Sequence, residues 1–265
     1  MLLEVKEVTK IFGGDNHCKH EFEGNRCIKC GAILAMDNIS FDLDYGETLG
    51  IVGESGSGKS TLLRTIYMDV EPDAGEVKFD GIDIFKLDSK RRRDIRVRRM
   101  GMVYQTPREG LYYNVSVSGN VAERLIDIGW RNFKQIKERT VDLLNKVRIN
   151  NNRIKDYPNS FSIGMQQRVQ IAKAIANNPD LLLLDEPTAS LDATVQAEIL
   201  DLIKQIQREM DLAIIIVSHD LRVIRLLAER VIVVKNGKIV ESGLTDQILE
   251  DPQHEYTQKL VSSIL

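Results

Sequence analysis

Gly53, Glu54, Ser55, Gly56, Ser57, Gly58, Lys59, Ser60 and Thr61 run consecutively and satisfy G-x-x-x-x-G-K-[ST]. That spacing suits a polyphosphate. Glycines let backbone N–H groups turn inward and approach phosphate oxygens closely, and the start of the following helix adds partial positive charge. Lys59 supplies a full charge for the outer phosphates, and Ser60 offers a hydroxyl to a magnesium ion. A second cluster follows 120 residues later. Leu181 to Leu184 deliver Asp185 and Glu186 to the end of an apolar run. Asp185 is expected to hold magnesium through water, and Glu186 to polarise an attacking water.

These residues need elements to position them. The apolar run from Thr48 to Val52 enters the glycine loop, and Leu62 to Tyr67 leaves it as a helix. That strand–loop–helix order is the context the motif requires. Leu3 to Thr9 reads as a first strand, and Ile39, Phe41 and Leu43 alternate as in a half-buried one. Val77 to Ile84, around Asp80 and Gly81, predicts a hairpin, as does Val231 to Val240 around Asn236 and Gly237. Met102 and Val103 belong to a short strand ending at Gln105. Asn120 to Val147 carries a helical pattern, with Val141, Leu144 and Val147 on one face. A long helix follows Ser162. Val195 to Met210 is amphipathic through Ile199, Leu202, Ile203, Ile206 and Met210. Ala213 to Val217 is another buried strand. Continuous apolar strands alternating with helices imply an α/β fold with a mainly parallel, doubly covered sheet.

Composition narrows the classes. The chain has 265 residues, 43% apolar, 28% charged, with a net charge of −3. It can bury one large core and lacks the basic excess of a polyanion binder. Nucleic acid is therefore not an expected partner. Its apolar runs are far shorter than the ~20 residues a membrane helix needs, and the N-terminus has no signal-peptide core. The expected location is cytoplasmic, peripheral to the inner face of the membrane if the partner is a permease. The basic run Lys90, Arg91, Arg92, Arg93, Arg96, Arg98 and Arg99, interrupted by Asp94, reads as a solvated helix face or as a partner contact.

All three cysteines fall within a polar stretch from 13 to 34. Cys18, His20, Cys27 and Cys30 form a C-x-H-x₆-C-x₂-C-G set that suits a tetrahedral zinc knuckle, with His17 as a substitute imidazole. An iron–sulfur cluster or a reduced, unligated loop are the alternatives.

With these motifs assembled, the chain resembles the ATP-binding cassette (ABC) family along nearly its whole length. Pro187 to Asp192 matches the D-loop, His219 the switch histidine and Gln105 the Q-loop. Phe161 to Arg168 matches the signature, and Phe12 the aromatic that stacks on adenine. The resemblance implies a P-loop fold of ABC type over 1–265, with an N-terminal antiparallel β subdomain and a helical subdomain at about 106–165. It implies two subunits, identical or paralogous, closing around two Mg-ATP. The phosphate loop of one would then face Ser162 and Gly164 of the other, with Asp192 at the shared site. Glu186 would be the general base, His219 would bridge the γ-phosphate, and Gln105 would sense it or the magnesium ion.

In branch, Gly110, Leu111, Val117, Ser118, Val121, Arg124, Leu125 and the stretch from Glu241 to Pro252 resemble the ATP-binding subunit of the phosphonate C–P lyase system. That implies a soluble enzyme partner. Phe161, Ser162, Gly164, Met165, His254, Tyr256, Thr257 and Leu260 resemble the peptide/nickel importer branch, which implies a membrane permease. One position departs from the signature. Ile163 stands where the family has a glycine, and a β-branched residue resists positive φ and adds bulk. Slower hydrolysis is the expectation.

Overall fold

The computed structural model describes residues 1–15, 18–189 and 191–263. It divides into two compact units, Met1–Asp88 with Ile215–Leu265, and Ser89–Ile214.

The first unit opens with an antiparallel sheet. Its strands are β1 (Leu3–Phe12), β2 (Phe22–Glu23), β3 (Arg26–Cys27) and β4 (Ile33–Leu43). Then come β5 (Thr48–Val52), α1 (Lys59–Ile66), β6 (Ala74–Phe79) and β7 (Ile82–Asp83). The sheet order is β2-β3-β4-β1-β6-β7, so β1 sits between β4 and β6. Leu3, Val5, Val8, Leu43, Val77 and Phe79 are buried, which fits the period-2 pattern of a sheet with one covered face. β5 is buried at every residue, as its unbroken apolar run requires.

The second unit holds α2 (Ser89–Arg99), β8 (Met100–Val103), α3 (Pro107–Gly110), α4 (Val117–Asp127), α5 (Phe133–Lys146), α6 (Ile163–Ala174), β9 (Leu181–Asp185) and α7 (Ala193–Met210). β8 and β9 pair in parallel from Met100↔Leu181 to Val103↔Leu184. The single helical pattern expected from Asn120 to Val147 is two helices. α4 stops at Gly129, whose φ of +100° takes a conformation that L side chains rarely adopt, and Asn132 caps the start of α5. The buried face of α5 and its C-cap is Thr140, Leu143, Leu144 and Val147. Val141 is only half-buried, one position off the expected stripe. Arg124 is buried and donates to the carbonyls of Met100 and Val97, fastening α4 to β8. The basic run is α2, on which only Val97 is buried. Arg93, Arg98 and Arg99 pair with Asp127, Asp94 and Asp180 within this unit, so at those positions the charge is met internally.

β10 (Ala213–Val217) returns the chain to the first unit, followed by α8 (Leu221–Leu227), β11 (Arg230–Lys235), β12 (Lys238–Leu244), α9 (Thr245–Glu250) and α10 (Glu255–Ser262). β11 runs parallel to β5 and antiparallel to β12, so the second predicted hairpin is present. Among the described residues, no helix is long and apolar enough to cross a membrane.

Candidate nucleotide site and cysteine knuckle

In the first unit the phosphate loop follows β5 and ends in α1. Gly53, Gly56 and Gly58 have φ of +152°, +80° and +104°. A side chain at Gly58 would place Cβ 2.0 Å from the Ala35 carbonyl, and at Gly53 2.1 Å from that of Val234. Both glycines are therefore demanded by backbone conformation and by close packing. Lys59 is 5% exposed, and its ammonium donates to the carbonyls of Gly53 (2.9 Å) and Glu54 (2.7 Å), which fixes it across the loop. Three neighbours brace the loop from outside. Gly237 N–H donates to Ser57 O (3.0 Å), and Glu54 N–H donates to the Tyr256 hydroxyl (2.9 Å). Asn25 Nδ2 donates to Gly56 O (3.4 Å).

The loop fits a polyphosphate. α1 starts with no side-chain cap, and the buried Ser57 hydroxyl has no hydrogen-bond partner among the described residues. Both are polar groups that an anion at a helix start satisfies. Phe12 ends β1 and is 41% exposed, which leaves it open to a stacking partner, and Lys10 Nζ lies 5.5 Å from its ring centroid. Ser218 N–H donates to Ile51 O (3.2 Å), placing the exposed His219 next beyond the paired ends of β5 and β10.

In the second unit the buried strand β9 ends at Asp185, itself 3% exposed. Glu186 has φ +44°, a left-handed conformation uncommon outside glycine and costly to hold. That backbone turn presents its carboxylate to Gln105, whose Nε2 donates to Oε2 at 3.2 Å. β8 stops at Val103, two residues short of Gln105. What holds the segment beyond it is α6. Gln170 accepts from Tyr104 N–H (2.5 Å) and donates back to its carbonyl (3.1 Å), with Gln167 donating to the same carbonyl (3.4 Å). A buried amide on α6 thus holds both backbone polar groups of Tyr104 just beyond the end of β8. Sequence reading missed Gln170; a long polar residue on the apolar face of a helix was the available signal.

Ser162 caps α6, accepting from Met165 N–H. Ile163 is the first helical residue, absent from the positive-φ positions and 53% exposed. The expected backbone strain there is thus corrected: a helix N1 position suits a β-branched residue, and only the bulk remains. Gly164 is required for packing, since a Cβ there would lie 2.5 Å from Val195 Cγ1 on α7. Asp192 caps α7 through Val195 N–H (3.0 Å).

The insert folds as the β2–β3 hairpin followed by a turn through Gly31, φ +75°. It brings the donor atoms of Cys18, His20, Cys27 and Cys30 within 4.8 Å of one another, with Cys30 Sγ 3.4 Å from His20 Nδ1. A tetrahedral zinc with bonds of about 2.0–2.3 Å spaces its donors about 3.3–3.8 Å apart; the Cys30–His20 pair has that spacing, and three thiols with one imidazole are the donor types zinc takes. Burial pushes the Cys27 thiol up. The backbone N–H groups of Glu21, Cys30 and Lys29, with the His20 imidazole, outweigh it and bring the thiol down to about 5. Ala32 and Asp15 backbone groups hold Cys30 below its ordinary value, while burial and the neighbouring thiols push Cys18 up to about 11. Among the described residues from 18 to 31 only Cys27 is buried, too little apolar burial to order the loop without a central cross-link. His17 lies outside the described residues.

A glycine loop closing on a helix start, a strand-end acid pair and a capped signature helix define a P-loop ATPase of the cassette type. Residues 36–189 match the family described as ABC transporter, and the chain belongs to it. It is an ATP-binding, ATP-hydrolysing subunit of that family. Over 230 residues it is 48% identical to the putative phosphonates utilization ATP-binding protein PhnK of Escherichia coli K12, covering 87% of this chain and 91% of that one. It is 42% identical to the oligopeptide transport ATP-binding protein OppD of Bacillus subtilis, covering 99% of this chain and 72% of that one. Among solved structures it is similar to the dimeric post-hydrolysis state of the cassette MJ0796 bound to ADP and Pi. The TM-score is 0.80 at 31% identity, over 92% of this chain and 99% of that one.

Proposed function

We propose that this subunit drives a soluble, C–P lyase-like enzyme assembly for phosphonate use, closing with a second cassette around two Mg-ATP. The 48% identity to a phosphonates utilization protein carries this reading. In it, residues 1–265 work as one cassette, with the insert at 13–34 and a helical lobe at about 106–165. Phe12 stacks on adenine. The N–H groups of residues 53–61 and the Lys59 ammonium hold the phosphates. Ser60, Asp185 and Gln105 hold magnesium, which supplies charge neutralisation when bound. Glu186, aimed by its backbone turn and by Gln105, takes the proton of the attacking water. Ser162, Gly164 and Asp192 serve the opposing nucleotide, and His219 contacts the γ-phosphate. The bulk of Ile163 at the start of α6 slows turnover, so Ile163→Gly should raise kcat about threefold; an unchanged kcat removes the idea. In this reading zinc is the resident ion of the cysteine knuckle, and elemental analysis should find one per chain. Stoichiometric iron with visible absorption overturns that in favour of a cluster, and metal-free, folded protein overturns both.

A second reading is the ATPase of a membrane importer, favoured by 42% identity to OppD across 99% of this chain. Tagged Glu186→Gln protein, which should bind ATP and stall, separates the two. Co-isolation of soluble phosphonate enzymes supports the first reading, and a detergent-extracted permease supports the second.

A further inference from the structure

We propose that the cysteine knuckle is itself part of the nucleotide site, with Arg26 facing the nucleotide's phosphates and Asn25 positioning the phosphate loop, so that zinc occupancy sets ATP affinity. The inference rests on the zinc and nucleotide readings above, and three observations carry it.

The first is register. Phe12 pairs with Ile33 across β1 and β4, and Ile33 pairs with Arg26 across β4 and β3. Residues directly opposite in a sheet project from the same face, and each strand step is about 4.8 Å. Phe12, Ile33 and Arg26 therefore form one exposed row that starts at the adenine aromatic. Arg26 stands two strands, about 10 Å, from it, and its guanidinium has no partner among the described residues. The second is the Asn25 amide. It lies beside Arg26 in sequence and donates to the carbonyl of Gly56, so this end of the hairpin lies against the phosphate loop. Asn25 thus sets this end of the hairpin at the phosphate loop, while Arg26, one residue on, projects from the face that carries Phe12, and its long side chain reaches from there toward phosphate oxygens. The third is the tie to the donor cluster. Cys27 follows Arg26 directly, and the Gly14 backbone, two residues past Phe12, lies so close to Cys30 that a Cβ there would be 2.9 Å from its sulfur. The metal ligands therefore hold both ends of the row.

The test measures ATP affinity by calorimetry in the Glu186→Gln background, which blocks hydrolysis, with zinc content assayed on every sample. Arg26→Gln should weaken ATP about fivefold. Zinc content and adenosine affinity should be unchanged, and Arg26→Lys should recover part of the loss. Asn25→Ala should weaken ATP about threefold. Lys29→Ala, which removes only the pair with Glu21 on the same hairpin, should leave it unchanged. Stripping zinc with a chelator, then removing the chelator, should weaken ATP at least as much as Arg26→Gln, and zinc return should restore it. Zinc-loaded Arg26→Gln protein that binds ATP like its parent overturns the proposal, as does an equal loss for adenosine. Protein that never holds zinc overturns the metal dependence, while the Arg26 variants still report on the phosphate contact. Protein that binds no ATP before any change at 25 or 26 overturns the nucleotide reading instead.

Discussion

Two loops of the first unit use the same physical device toward guests of opposite charge. In the phosphate loop, residues 53–61, glycines at positive φ turn backbone N–H groups toward an anion. In the cysteine loop, residues 18–31, backbone N–H groups turn toward sulfur, bringing Cys27 down to about 5, and the three sulfurs gather with the His20 imidazole in a cluster that could hold a metal ion. The loops differ in what keeps them ordered. The phosphate loop is closed by packing: Gly53 against Val234, Gly58 against Ala35, Ser57 bound by Gly237 and Glu54 by Tyr256. The cysteine loop has one buried residue and a single register pair joining β3 to β4. A site built by packing exists before its guest arrives, whereas a site built by ligands is ordered by its guest.

Four changes test that contrast, the largest first. Lys59→Ala should lower ATPase activity at least about 100-fold while thermal unfolding stays near the parent's, because the loop's order comes from its neighbours rather than its cation. A large drop in Tm would show that Lys59, through the Gly53 and Glu54 carbonyls, is itself structural. Gly58→Ala should be worse tolerated by the fold. Its Cβ meets a carbonyl oxygen, not a side chain that can move, and a loss of about 1–3 kcal/mol in denaturant unfolding is expected. The double change Cys27→Ser with Cys30→Ser should abolish metal binding. It should also accelerate amide exchange through residues 18–31, with protection on β5 and α1 retained; protection kept across the hairpin would mean the cysteine loop too is built by packing. Tyr256→Phe removes one brace and should raise KM for ATP about fivefold, the equivalent of about 1 kcal/mol. An unchanged KM would assign the loop's order to its glycines and to the remaining contacts from Asn25, Ala35, Val234 and Gly237.

Much of the site was legible from local sequence because its determinants are local. Positive φ at Gly53, Gly56 and Gly58, the apolar runs that bury β5 and β9 on both faces, and the caps Ser162 and Asp192 each act within a few residues of themselves. The same holds for the cysteine cluster, whose ligands all fall within one hairpin and its flanks. Sequence misjudged two local points. The helical pattern from Asn120 to Val147 hid the break at Gly129, since an apolar stripe continues in phase across a short turn. Ile163 was expected in strained backbone, yet it takes an ordinary helical position.

What only the tertiary structure decided is which distant groups share a hydrogen bond. Tyr256 reaches Glu54 from 202 residues away, and Gln105 reaches Glu186 from 81. Gln170 braces the backbone of Tyr104, and Asn25 touches Gly56. A glycine's conformational freedom and a strand's apolar run are properties of the residue and its nearest neighbours, so the sequence determined them. A hydrogen-bond partner is chosen by where the chain returns, and that is settled only when the sheets and helices have packed.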